Sequence, residues 1–414
     1  MTFRPLAGLR CIEVGQDASA AFGARLLADL GAEVIKVEAP VTGDAIRCEP
    51  PLVDADGRSA SALFTYLNHG KRSVTLDTGE PTGAKLLEEL LRRSDLVICA
   101  ASESGGMPVA IALERFDPVT RPTLVCVSAH GLLGPRSRQP SSPFVLQHAA
   151  GFAFHQASPV SDPEATPPTG CADMEGALAI GIVVANAALW ALSAVEAGEA
   201  KPFVDLSAED VYAYLLVEPF ADWCAGLPTR ERQRDPAKPS MVAGGLVWLL
   251  PCADGAVMIS PREDHQWERW VEVMGRPAWT TDTALCGDRA IRARNATIVG
   301  QKMSEWSVQQ NAHDVFAKAQ AKRVACFPVS SAKDMVRNEQ LIDRGFYSRL
   351  RLSSGLVIPA AGLPFKLRTT GGATLERGRE VAAPALGEAN RDVFGESRNV
   401  ARDQPGHAQV QRVT

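Results

Sequence analysis

Across residues 9–14 the chain alternates Leu, Ile and Val with Cys11 and Glu13, a pattern that predicts a strand. Gly15 lets the backbone turn. Residues 18–30 then place Phe22, Leu26, Leu27 and Leu30 at helical spacing, with Arg25 and Asp29 on the other face. That helix closes on Gly31, and a short apolar strand follows, ending in Lys36, Glu38 and a loop of Pro40, Gly43 and Asp44. Strand, helix and strand make a right-handed crossover unit. Two more units are predicted from strands at 73–76, 96–99 and 123–128 and a helix at 82–93. The fold class is therefore α/β, with a large Rossmann-like, doubly wound parallel sheet covered on both faces and a binding crevice at the strand ends.

Further along, residues 176–192 are apolar on nearly every helical face, which predicts a buried helix. Its apolar run, 177–192, counts as shorter than a membrane span and contains Asn186. Residues 229–239 are charged and Pro-rich without apolar periodicity, and read as a linker. Beyond it, 247–259 reads as a hairpin around Ala253, Asp254 and Gly255, followed by helices at 263–274 and 301–310, so a smaller α+β domain is expected. The polar stretch 395–414 is expected to fray.

Composition narrows the function classes. A net charge of −5 with dispersed basic residues speaks against a nucleic-acid partner. Nine Cys without a CxxC pair suit reduced thiols, hence a cytoplasmic protein, and residues 1–5 lead directly into the first strand with no signal peptide. The first turn reads GQDASA instead of the three-glycine fingerprint, so a dinucleotide cofactor is not expected. The histidines show no HxxxH or HExxH spacing, and no metal site is expected. Lys36, Lys71 and Arg72 are candidate anion contacts, because a cation at a strand's carboxyl end faces the crevice; a surface Lys36–Glu38 ion pair is the plainer alternative. Asp173 stands at the mouth of the apolar helix, at its partly positive end, where it is either a nucleophile or an ordinary N-cap. Glu175 is the second carboxylate of that turn, and Cys171 reads as a small buried residue.

A series of phrases runs almost the length of the chain: PLAGLR from Pro5, LLADLGAEVIKVE from Leu26, LNHGKRSVTLD from Leu67, GLLGP from Gly131, PCADGAV from Pro251, FPVSSAKD from Phe327, DRGFY from Asp343 and APALGEAN from Ala383. In this order they resemble the family III coenzyme A transferases, the CaiB/BaiF family, which includes formyl-CoA transferase and alpha-methylacyl-CoA racemase. The resemblance implies a large CoA-binding domain from 1–225, a linker and small domain over 226–328, and a return to the large domain over 329–414. It also implies two protomers threaded through each other as an interlocked dimer.

Asp173, three residues ahead of Gly176, matches the family's nucleophile, which passes CoA from an acyl-CoA, succinyl-CoA among them, to a carboxylic acid through a mixed anhydride and an enzyme thioester. CoA contacts are then expected from Ala18, Ser19, Lys36, Asn68, Lys71 and Arg72. A substrate loop is expected at Gly244 and Gly245, and neither metal nor permanently bound cofactor. The chain departs from the family pattern at Ser19, Ala20 and Ala21, at CAASESGG from Cys99, at Ala39 and at Pro143, all around the CoA pocket. Either the CoA pocket is rebuilt with other residues, or the chain is the non-catalytic half of a heteromer with a related subunit, as in the benzylsuccinate-type transferase. A racemase is a separate alternative, with His148 close to the place of its base but displaced from it.

Overall fold

Cys11 and Ile12, adjacent in the first strand, are both fully buried but belong to different cores, so both faces of the sheet are covered. The computed structural model describes residues 2–55, 58–101, 121–155, 168, 170–227, 240–242, 245–375 and 380–395. Six strands, β1 (Arg10–Val14), β2 (Glu33–Glu38), β3 (Arg72–Thr75), β4 (Leu96–Ala100), β5 (Thr123–Ser128) and β6 (Phe203–Ser207), pair in parallel in the order β3-β2-β1-β4-β5-β6. The order reverses between β1 and β4. In such sheets a ligand crevice opens there, beyond the carboxyl ends of the strands.

The helices of this sheet are α1 (Ala18–Asp29), α2 (Ala62–Asn68), α3 (Pro81–Arg92), α4 (Pro143–Ala149), α5 (Asp173–Glu196) and α6 (Ala208–Tyr214). Leu27 of α1, Leu146 of α4, Val184 of α5 and Tyr212 of α6 share a core with Cys11, Val34, Ile98 and Val127 of the strands. On the opposite face Leu86, Leu87 and Leu90 of α3 pack against Ile12, Ile35, Val97 and Cys126.

The apolar helix departs from its expected form. It runs 24 residues, Asp173–Glu196, and by length and composition is long and apolar enough to cross a membrane, with a mean hydropathy of 2.1. It is not buried all round: Ile182 and Trp190 are 50% and 71% exposed. Its other face lies close against α1. A Cβ on Gly181 would stand 2.8 Å from the Ser19 carbonyl and 2.9 Å from Phe22, and one on Gly23 would stand 2.6 Å from Val184. The close approach gives a prediction whose sign is decisive. Gly181→Ala gains about 1 kcal/mol of helix propensity, yet the crowding of overpacking, about 1–3 kcal/mol, is expected to outweigh it. Chemical denaturation should therefore show a less stable protein; a neutral or stabilised variant would refute the close crossing.

The chain divides into two compact units, one of Met1–Phe154, Gly170–Ala221 and Glu339–Thr414, the other of His155–Thr169 and Asp222–Asn338. The second carries an antiparallel sheet of β7 (Ser240–Val242), β8 (Gly245–Cys252), β9 (Gly255–Ile259) and β10 (Cys326–Pro328). Helices α7 (Asp264–Val273), α8 (Ala296–Ser307) and α9 (Ala312–Ala321) supply Trp270, Met303 and Val315 to a core with Trp248 and Val257 of that sheet. The helix expected at 301–310 is α8, which begins and ends earlier in the chain.

After β11 (Tyr347–Arg351), β12 (Val357–Ala361) and β13 (Glu380–Ala382), the chain returns along the edge strand of the large sheet. Ala389 donates to the Ser73 carbonyl at 2.9 Å, and the Asn390 side chain accepts from the Thr75 amide at 2.9 Å. This edge contact gives the APALGEAN phrase its structural role. The expected linker at 229–239 and the tail beyond Gly395 lie outside the described residues.

Candidate functional site

At the reversal point a crevice of about 640 Å³ opens between the β1–α1 turn and the ends of β4 and β5. Gln16, Asp17 and Ser19 form one wall, Ala100, Ala101 and Ser128 the floor, and Arg138 and Ser141 of the next loop the other wall, with Ile180 reaching in from α5. Asp17 caps α1 by accepting from the Ala20 amide at 2.8 Å. Burial raises its pKa against the opposing hydrogen bonds from Ala20 and Ser19. The hydroxyls of Ser128 and Ser141 are buried and have no hydrogen-bond partner among the described residues. Buried polar atoms left in this state on a crevice wall suit a polar ligand.

Of the expected CoA contacts, Ser19 lines this crevice and Ala18 opens α1 beside it. The cations are placed elsewhere. Lys36 is 1% exposed, with Nζ 2.6 Å from Glu13 Oε1 and an ion-pair contact of 2.7 Å to Asp44 Oδ2. The surface pair with Glu38 does not form; Glu38 instead binds Arg47 at 2.7 Å and accepts from Ser73 at 2.6 Å. Lys71 turns inward, donating to Glu13 Oε2 at 2.6 Å, to the Ala21 carbonyl at 2.8 Å and to Asn68 Oδ1 at 2.8 Å. Arg72 is the first residue of β3, not its last. It therefore lies at the amino edge of the sheet, bound to Glu33 at 2.7 Å and Asp392 at 3.0 Å. Lys36, Asn68, Lys71 and Arg72 are not among the residues lining the crevice.

The buried group is a closed set of two ammonium and two carboxylate groups. Burial alone would raise Glu13, but Lys36 and Lys71 hold its pKa below the usual carboxylate range. Burial would likewise lower Lys36, and there Glu13 and Asp44 win, holding it above the usual lysine range. For Lys71 burial prevails over Glu13, and its pKa falls to about 8.

Asp173 is the first residue of α5, and Ala172 holds the N-cap position without a side-chain cap. Its role as an ordinary N-cap is thereby removed. The side chain is exposed, and its carboxylate has no hydrogen-bond or ion-pair partner among the described residues. Residues seven apart share a helix face, so Asp173 lies in line with Ile180, which reaches the crevice, while Glu175 lies in line with exposed Ile182. The carboxylate is about 10 Å along the helix axis from Ile180 at 1.5 Å per residue.

Cys171 donates to Gln147 Oε1 at 3.5 Å, and burial, with Glu175 and Asp173 nearby, pushes its thiol up, which leaves it protonated. His148 is tied at Nδ1 to the Phe144 carbonyl of its own helix, 2.8 Å away, and His130 contacts Glu209 at 2.6 Å. Gly245 opens β8 opposite Val242, and Gly244 lies outside the described residues.

The residues that sequence reasoning passed over are Ser128, Arg138 and Ser141 in the crevice and Tyr212 beneath α5. The polar run after GLLGP was the available signal for Arg138 and Ser141, and the carboxyl end of the expected strand at 123–128 the signal for Ser128.

A sequence profile described as CoA-transferase family III matches residues 6–390. Succinate–glutarate CoA-transferase of Agrobacterium fabrum is 27% identical over 411 residues, 96% of this chain and 97% of that protein. The BbsE subunit of succinyl-CoA:(R)-benzylsuccinate CoA-transferase from Thauera aromatica is 26% identical, over 91% of this chain and 90% of its own length. In fold, the chain is similar to the crystal structure of a CaiB/BaiF family protein from Brucella suis, with a TM-score of 0.77, 22% identity and coverage of 95% of this chain and 100% of the other. The chain belongs to CoA-transferase family III.

Proposed function

We propose that this protein transfers coenzyme A from an acyl-CoA, with succinyl-CoA the first donor to try, to a free carboxylic acid, and that Asp173 is the nucleophile. The observation that carries this reading is the alignment of the Asp173 carboxylate, without a partner among the described residues, with Ile180, one helix face running from the nucleophile to the crevice. The nucleotide end of CoA is assigned to the crevice, where Ser128 and Ser141 offer hydroxyls unpaired among the described residues and Arg138 a rim cation.

Chemically, an Asp173 oxygen attacks the thioester carbonyl and the carbon–sulfur bond breaks, giving a mixed anhydride and CoA thiolate. The thiolate attacks the aspartyl carbonyl, and the first acid leaves as its carboxylate. The incoming carboxylate attacks the resulting aspartyl thioester, regenerates an anhydride and releases the thiolate. Thiolate attack on the new acyl carbonyl then yields the product acyl-CoA and free Asp173. No proton or electron is gained or lost over the cycle. Exclusion of water preserves the anhydride.

Hydroxylamine added with succinyl-CoA should inactivate the protein and leave a hydroxamate at residue 173 in peptide mass spectra. Modification only elsewhere would remove Asp173 from the mechanism. Arg138→Ala is expected to raise KM for acyl-CoA about tenfold with kcat unchanged, the size of one lost charged hydrogen bond at an open rim. An unchanged KM would move the nucleotide end out of this crevice.

A second reading has its own support: a relative is a named subunit of a larger transferase, and the turn bearing Asp173 is open in the single chain. On that reading the chain binds CoA and a related subunit performs the chemistry. Turnover by the purified chain alone would count against it; activity only with a co-expressed homologue, insensitive to Asp173→Ala, would establish it.

A further inference from the structure

The turn that carries Asp173 rests on two polar side chains that the proposed chemistry leaves unused. Gln147 of α4 and Tyr212 of α6 are each 1% exposed, and α4, α5 and α6 pack against one another around them. A Cβ on Gly176 would stand 2.0 Å from the Tyr212 hydroxyl oxygen, and one on Gly170 would stand 1.9 Å from Gln147 Oε1. Each glycine is thus required by a polar atom that already fills the space, one on either side of Asp173. The Cys171 thiol adds its contact to the same Gln147 oxygen.

Nevertheless Nε2 of Gln147 and the hydroxyl of Tyr212 have no hydrogen-bond partner among the described residues. The one polar group acting on the phenol as a hydrogen-bond partner is Gln147 itself, which lowers its pKa against burial, so the two side chains pair at most with each other. Burial, with Cys171 and Asp173 nearby, pushes the Tyr212 phenol up to about 12, so it remains a proton donor at any working pH.

Two buried donor groups with no acceptor beyond one another are costly and rare. Phenylalanine at position 212 would fill the same volume without that cost, so a hydroxyl kept under a reactive turn points to a state in which it is paired. We propose that Tyr212 and Gln147 are positioning residues for Asp173: they seat the 170–176 turn and donate hydrogen bonds to it when Asp173 carries an acyl group, orienting the aspartyl carbonyl for the returning thiolate. This rests on the reading of Asp173 as nucleophile. It extends that reading to two helices with no substrate contact of their own.

The test compares Tyr212→Phe, Gln147→Met and Asp173→Ala with the wild type, in whichever assembly turns over, by steady-state kinetics and thermal melting. Tyr212→Phe is expected to lower kcat about tenfold with KM for acyl-CoA unchanged and a melting temperature equal to or above that of the wild type; Gln147→Met should lower kcat in the same direction. Wild-type kcat in Tyr212→Phe, with Asp173→Ala inactive, overturns the positioning role alone. A Tyr212→Phe protein that loses melting temperature together with activity assigns the hydroxyl to stability and overturns it too. Full activity in Asp173→Ala removes the nucleophile itself, and the positioning role with it.

Discussion

Asp173→Ala is expected to reduce CoA transfer by at least about 10³-fold while leaving the fold intact, since a covalent nucleophile cannot be replaced by binding energy alone. The structural cost is small because the side chain is exposed, has no described partner and is not the N-cap. What it loses is its interaction with the helix dipole, about 0.3–1 kcal/mol. Circular dichroism and melting should therefore be close to wild type, and binding of free CoA to the crevice should persist. Glu175→Ala serves as the matched control: it removes the other carboxylate of the turn, on the face in line with exposed Ile182, and should keep most of the activity. If Glu175→Ala were the inactive variant, the helix-face argument would be reversed.

Much of the architecture could be read from alternation and spacing, because the buried parallel strands are nearly all apolar and their helices amphipathic. β5 was placed at its observed bounds, and α1 and α3 within a residue of theirs. β6 was missed, because Asp205 interrupts its five residues and only Leu206 and Ser207 are buried. With β6 went α6, and with α6 went Tyr212.

The helix at Asp173 was visible as an apolar run, but its exposed face was not. Mean hydropathy does not distinguish contact with α1 from an open surface. The charged residues were the hardest to place. Lys36 and Glu13 lie on the same side of adjacent strands at matching register, which a sequence conveys only once the pairing is known. For Arg72 the strand bounds were nearly right and still excluded a crevice role: a strand over 73–76, like the observed Arg72–Thr75, puts Arg72 at its amino end, on the edge of the sheet away from the crevice.

Glu13→Gln is the substitution expected to cost most in stability, about 3–5 kcal/mol, because it removes one partner from a buried set of charges and leaves the others in place. Glu13 is 1% exposed and holds Lys36 with one oxygen and Lys71 with the other, each at 2.6 Å. After the change Lys36 still has Asp44, whereas Lys71 keeps only the Asn68 and Ala21 oxygens, both uncharged. The paired variant Glu13→Gln/Lys71→Met should recover much of the loss, since it removes the stranded ammonium as well. A double variant no more stable than Glu13→Gln would mean the charge itself is not the cause.

The pH dependence has a defined sign. The Glu13 pKa is lowered by folding, so its contribution is present above the usual carboxylate range and disappears as pH falls through its folded value. Lys71 behaves oppositely to a stabilised lysine. Its folded pKa, about 8, lies below its ordinary 10.5, so the native state releases that proton first and gains stability as pH rises between those values. Without Glu13 the stranded ammonium deprotonates more readily still. The deficit of Glu13→Gln measured by denaturation should accordingly be largest near neutrality and shrink toward pH 9. A deficit that stays flat from neutrality to pH 9 would show that Lys36, held above the usual lysine range by two carboxylates in the wild type, and not Lys71, is the group Glu13 chiefly sustains.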